Sequence, residues 1–191
     1  MFRPLLSIYV EEEADLMDFE EDEYLKYHKN QIIEDLKITD KKPVVKYGED
    51  AREFANKHKK RIKINKETSG VFLYEDLPEE YEETGVVCLL KYSIGSLAHE
   101  LCHAKQFQEN NKWFNRSLIL DIVYMISYYY YPPEREAFNY AKEYLKRKRL
   151  DNELVEYRRK IRNNAIASCC KISVVLGFLL SILLIIYIDI K

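Results

Sequence analysis

The chain is short of the two residues that punctuate irregular structure, with five Gly and five Pro among 191 residues. So small a supply excludes a loop-rich or all-β fold and points to helices. Cysteine is scarce as well: Cys88, Cys102, Cys169 and Cys170, with no CxxC pair. That excludes a disulfide scaffold and a zinc ribbon, and adjacent Cys169 and Cys170 would bridge only under strain. Reduced thiols in a cytosolic body are the expectation. There is no surplus of positive charge; 30 Lys and Arg against 32 Asp and Glu leave a net charge of -2. A generally basic nucleic-acid binder is thereby excluded. No apolar stretch of signal-peptide length precedes Glu11, so a secretory leader is not expected. Histidine is the sparsest chemical resource: His28, His58, His99 and His103, with none further along.

What the chain does have is apolar and charged material in quantity, 47% and 32%, enough for a true core and too much for disorder. Its length suits one compact domain with a short appendage. The sixteen Tyr follow from composition as readily as from function. An acidic run from Glu11 to Glu23 reads as a solvated helix start, with Asp22 as a cap for a helix through Leu25, Ile32, Ile33 and Leu36. Strands are expected at Pro43–Gly48, at Arg61–Lys66, over VFLYED from Val71, and over GVVCLLKY from Gly85 to Tyr92. A helix is expected at Glu49–Lys59. The segment SLILDIVYMISYYYY, ending at Tyr131, reads as a packed helix.

From Ile172 to Ile188 the sequence ISVVLGFLLSILLIIYI carries no charge. As a helix it would span about 25 Å, slightly under the hydrocarbon thickness of a bilayer. Ahead of it lie nine basic residues: Lys146, Arg147, Lys148, Arg149, Arg158, Arg159, Lys160, Arg162 and Lys171. The positive-inside rule puts that flank in the cytoplasm. The expectation is a single-pass, tail-anchored membrane protein with a cytoplasmic body.

The segment SIGSLAHELCHAKQFQEN, Ser93 to Asn110, contains His99, Glu100 and His103 as an HExxH pattern. On a helix, residues four apart share a face, so both imidazoles can address one metal ion. Zinc takes three protein ligands and leaves a position for water. Glu100, beside the first ligand, is placed to act as general base toward that water. Ser93 or Ser96 would cap the helix. Cys102 reads as small apolar packing.

With no His after His103, the third ligand should be a downstream carboxylate: Glu109, Asp121, Glu134, Glu136 or Glu143. Glu109 ends the motif helix itself, and Asp121 sits in an apolar segment. PPEREAFNYAKEYL opens a second helix at Pro132, with Ala137 and Ala141 forming a face that allows close packing. Glu134 shares that face and is the first choice; Glu136, about 200° away around the helix, is the fallback.

HELCHAKQ followed by PPEREAFNYA resembles the small gluzincin metallopeptidases, including minimal and ImmA/IrrE-like domains, over Gly85 to Leu145. The resemblance implies a zincin-like α+β fold and a zinc ion held by His99, His103 and Glu134. It also implies Glu100 as the base of peptide-bond hydrolysis. Many members carry Asp four residues after the ligand Glu as partner to a ligand His; here Phe138 stands there, which moves that role elsewhere. SprT-like proteases share HELCHA but need a further His downstream. In zincins an upstream edge strand holds the substrate, for which GVVCLLKY or VFLYED would serve, and Tyr128–Tyr131 or Tyr140 would stabilise the oxyanion.

The expected organisation is a zincin-like metallopeptidase domain over 1–145, a basic juxtamembrane helix over 146–171 and a transmembrane helix over 172–188. The expected cofactor is Zn²⁺ and the expected partners are a protein or peptide substrate and the membrane, with no nucleic acid. The competing reading is a membrane-anchored metal-binding or interaction protein without proteolytic activity.

Overall fold

A computed structural model describes residues 20–38, 41–58, 64, 68–109 and 128–189, with the backbone alone for 183–189. The fold is α+β. Helix α1 (Glu23–Asp35) begins where Asp22 Oδ1 accepts the Leu25 amide at 2.7 Å, the expected cap. It buries Leu25, Ile32 and Ile33. Strand β1 (Val44–Tyr47) leads into α2 (Gly48–His58) through Gly48, whose φ of 56° suits glycine. Strands β2 (Gly70–Leu73) and β3 (Val86–Leu89) follow. Helices α3 (Ile94–Gln108) and α4 (Pro132–Arg147) come next, and α5 (Asp151–Asp189) ends the described chain. The strand expected over Arg61–Lys66, apart from Ile64, and most of the helix expected up to Tyr131 lie outside the described residues.

The sheet order is β1-β3-β2, with β1 parallel and β2 antiparallel to β3. All four residues of β3 are buried, the mark of a central strand covered on both faces. Val86 and Cys88 face α2 with Ala51, Ala55, Val71 and Leu73. Val87 and Leu89 join Phe72 in the larger core against α3. GVVCLLKY is therefore paired on both sides and offers no edge to a peptide; among the described residues β1 and β2, the latter from VFLYED, stand at the ends of the strand order.

Helix α3 is buried almost all round, from Ile94 through Ala104, which makes it the central helix of the body. The sheet covers one side. Helix α4 lies along another, brought close by Ala137 and Ala141, both fully buried. The first turns of α5 close a third side, with Leu154 and Tyr157 in the same core. The body thus extends into the segment expected as a separate juxtamembrane helix, and α5 runs unbroken from there through the apolar run. That helix is long and apolar enough to cross a membrane, with a mean hydropathy of 2.1 over its most apolar stretch. Val174, Phe178 and Leu180 are each about two-thirds exposed or more, at 72%, 67% and 66%.

Candidate metal centre

The motif begins on a well-capped helix. Ser93, extended at φ -163°, accepts the Ser96 amide on its Oγ at 3.1 Å, so the cap is Ser93 and not Ser96. One turn on, His99, Glu100 and His103 are all buried, and one potential ligand atom from each lies within 4.8 Å of the others. The two imidazoles face each other edge-on, with Nε2 atoms 3.1 Å apart.

Glu134, in the first turn of α4, also reaches the group. Its Oε2 stands 3.3 Å from His99 Nε2 and 3.5 Å from His103 Nε2. The three atoms form a triangle with edges of 3.1, 3.3 and 3.5 Å. Three ligands of a tetrahedral zinc with bonds of 2.0–2.2 Å are about 3.3–3.6 Å apart. The residues present fit such an ion, and the fit rests on this spacing alone.

The outer nitrogen of each ring is held. His103 Nδ1 lies 2.8 Å from Gln106 Oε1. The Gln106 amide is oriented by two acceptors, for its Nε2 donates to Pro133 O at 3.2 Å and to Glu136 Oε2 at 2.9 Å. A carbonyl oxygen therefore faces His103, so Nδ1 carries a hydrogen and Nε2 is the ring atom left to bind a metal. His99 Nδ1 meets the Tyr157 hydroxyl at 3.0 Å. Tyr157 comes from α5 and is 4% exposed; burial, with Glu100 and Glu134 nearby, keeps its phenol neutral by raising its pKa well above the ordinary value. Phe138, standing where the gluzincin resemblance has Asp, packs its ring 4.5 Å from that of His99. Among the described residues, His99 has the Tyr157 hydroxyl, and no carboxylate, against its Nδ1.

Electrostatics in the metal-free cluster are those of an ion pair between His103 and Glu134. Burial alone would lower the pKa of His103, but the Glu134 carboxylate overrides it and pushes the imidazole up to about 9. Burial alone would raise Glu134; the two imidazoles instead hold its carboxyl well below the usual range. Glu100 rests against the edge strand: a Cβ on Gly70 would lie 2.9 Å from Glu100 Cγ and 3.3 Å from its Oε1. Glycine at that strand position is what leaves room for the carboxylate. Lys160 of α5 reaches Ser96 Oγ at 3.5 Å, one turn ahead of Glu100 on the same face of α3. Its pKa is lowered by burial, against the pull of Glu100 and Glu134.

The other candidates stand apart. Glu136 is exposed and reaches the site only through Gln106. Glu109 ends α3 and pairs with Lys105 at 3.3 Å; Glu143 is exposed on α4; Asp121 lies outside the described residues. His28 is buried in the α1–α4 contact, where its Nδ1 meets the Tyr144 hydroxyl at 2.8 Å, and His58 ends α2. Burial pushes the Cys102 thiol up to about 12, so it stays a neutral packing group. Tyr140 points to Asp35, with a hydrogen bond of 2.9 Å, and Tyr130 meets Cys169 Sγ at 3.2 Å.

Two residues that hold the cluster are absent from the sequence expectations, Gln106 and Tyr157. Gln106 had a local signal, since it sits three residues after His103 on the same helix. No family model matches the chain, and neither the curated proteins nor the solved structures contain a match to it.

Proposed function

We propose that the chain is a membrane-anchored zinc metallopeptidase of gluzincin type, with His99, His103 and Glu134 as ligands and Glu100 as general base. The observation that carries this reading is the triangle of His99 Nε2, His103 Nε2 and Glu134 Oε2, two of whose edges fall within the spacing of a tetrahedral ligand set and the third about 0.2 Å short of it. A zinc ion at this position would supply Lewis acidity toward water and toward a scissile carbonyl. The chain's own residues do the remaining work. Gln106 and Tyr157 fix the two rings so that both Nε2 lone pairs face inward. Glu100 takes a proton from the attacking water and returns it to the leaving amine. Gly70, at the start of β2, lies beside Glu100, so an extended peptide is placed along this end of the sheet. The Lys160 ammonium, which reaches Ser96 one turn before Glu100 on α3, favours negative charge developing there.

The apolar part of α5 crosses the bilayer, and the basic flank from Lys146 to Lys171 keeps the body on the cytoplasmic side. The discriminating experiment is Glu100→Gln, with zinc content and peptide cleavage read on one preparation. The expected result is zinc retained and turnover lost, since this carboxylate is a base and not a ligand. Zinc bound by the wild-type chain with no peptide cleaved would favour the non-proteolytic metal-binding reading. Undiminished turnover in the variant would remove Glu100 from the chemistry.

A further inference from the structure

We infer that α5 acts as a ruler. It holds the metal centre at a fixed height above the bilayer, so that the substrates are membrane-bound proteins cut in the stalk just outside the membrane, with an inner limit of about seven residues. The inference rests on the metallopeptidase and membrane readings above and adds a substrate class to them.

Three features of α5 make the height fixed. First, the helix touches the metal centre directly, with Tyr157 3.0 Å from His99 Nδ1. Second, it is clamped to the body at both ends of the segment between centre and membrane. Near one end Glu153 Oε2 accepts the Gly95 amide at 3.2 Å, and Leu154 and Tyr157 are buried in the core. Near the other, Ser168 is 3% exposed and its Oγ accepts the Tyr129 amide at 3.2 Å. The body therefore does not swing about a flexible tether. Third, the helix is continuous from Asp151 to Asp189 and contains no Pro, with no Gly before Gly177, so nothing in the sequence kinks it between the centre and the apolar run.

The height follows from helix geometry. Tyr157 precedes Ile172, the first residue of the apolar run, by fifteen positions. At 1.5 Å per residue that is about 22 Å along the axis. A typical tilt of about 20° lowers it only to about 21 Å. An extended substrate chain rising from the membrane covers about 3.3 Å per residue, so it first reaches the centre after about seven residues. Bonds nearer the bilayer are out of reach. Bonds a little beyond the limit gain most from confinement to the same membrane, and the gain falls as the stalk lengthens.

The test places the full-length chain in phosphatidylcholine–phosphatidylserine vesicles with a single-span reporter. The reporter's stalk repeats a short sequence that the enzyme cleaves as a free peptide, so that only height selects the cut, and the cut positions are mapped by mass spectrometry. The expected pattern spares the first six or so residues and peaks just beyond. Insertion of seven helix-forming residues between Lys171 and Ile172 turns the helix by almost two full turns and lengthens it by about 10 Å. It should move the first cut outward by about three residues. Cuts running up to the bilayer, or a limit unmoved by the insertion, would overturn the ruler while free-peptide cleavage leaves the peptidase reading standing. Failure to cleave any free peptide would overturn the peptidase reading and the ruler with it.

Discussion

The Gln106 amide is pinned by Pro133 O and Glu136 Oε2, and this turns its carbonyl toward His103 Nδ1. Gln106→Leu keeps most of the volume but removes the acceptor that fixes the ring. Loss of such a partner weakens metal binding by about 10–100-fold. A zinc titration against a competing chelator should show that loss, with the melting temperature recorded beside it; unchanged affinity would mean the ring is held by something else. Gln106 and Tyr157 differ in how far they could be read from sequence. The first lies on the motif helix itself. The second is 58 positions from His99, and its place depends on α5 crossing α3, which no local pattern encodes. One trace of the crossing was present: Gly95, four residues before His99, is the gap that admits the Tyr157 ring. Helical phase separates Glu134 from Glu136 in the sequence, and the structure puts Glu134 on the side of the two imidazoles.

Two glycines set how α3 meets its neighbouring elements, and they predict different failures. In Gly95→Ala the new Cβ would lie 2.8 Å from Tyr157 Cδ2 and 3.1 Å from Leu145 Cδ1. Alanine gains up to about 1 kcal/mol in helix propensity, but forcing two packed elements apart costs about 1–3 kcal/mol, so the variant should melt lower. It should also bind zinc more weakly, because Tyr157 is displaced from His99. In Gly70→Ala the crowded atom is Glu100 Cγ at 2.9 Å, on a side chain that can move. Stability should hardly change and zinc should remain, while turnover falls because the base is pushed away. Melting, zinc content and cleavage measured on both variants check this; a Gly70→Ala protein with full activity would free Glu100 from its place against β2. The elements themselves were largely readable, since caps, prolines and β-branched runs are local. Strand order was not, because the parallel pairing of β1 with β3 spans a helix and an edge strand. The unbroken apolar run Val86–Leu89 carried the hint that β3 is central.

At the scale of the whole molecule, one helix unites what the sequence presents as a basic segment and an apolar run. Charge pattern divides α5 in two, but backbone geometry does not, and burial of Leu154, Tyr157 and Ser168 ties its first part to the body. The full-length chain should sediment with membranes and resist extraction by high salt. A chain ending at Lys171 retains those contacts and should appear in the supernatant with its zinc content unchanged. Full-length protein in the supernatant would contradict the membrane reading. The central claim concerns the metal, and zinc content per chain of the purified full-length protein tests it most directly. The wild type should carry one zinc, Glu136→Gln should keep it, and His103→Ala and Glu134→Ala should each lose it. A wild-type chain without zinc, or a Glu134→Ala chain that holds zinc as firmly as the wild type, would contradict the account.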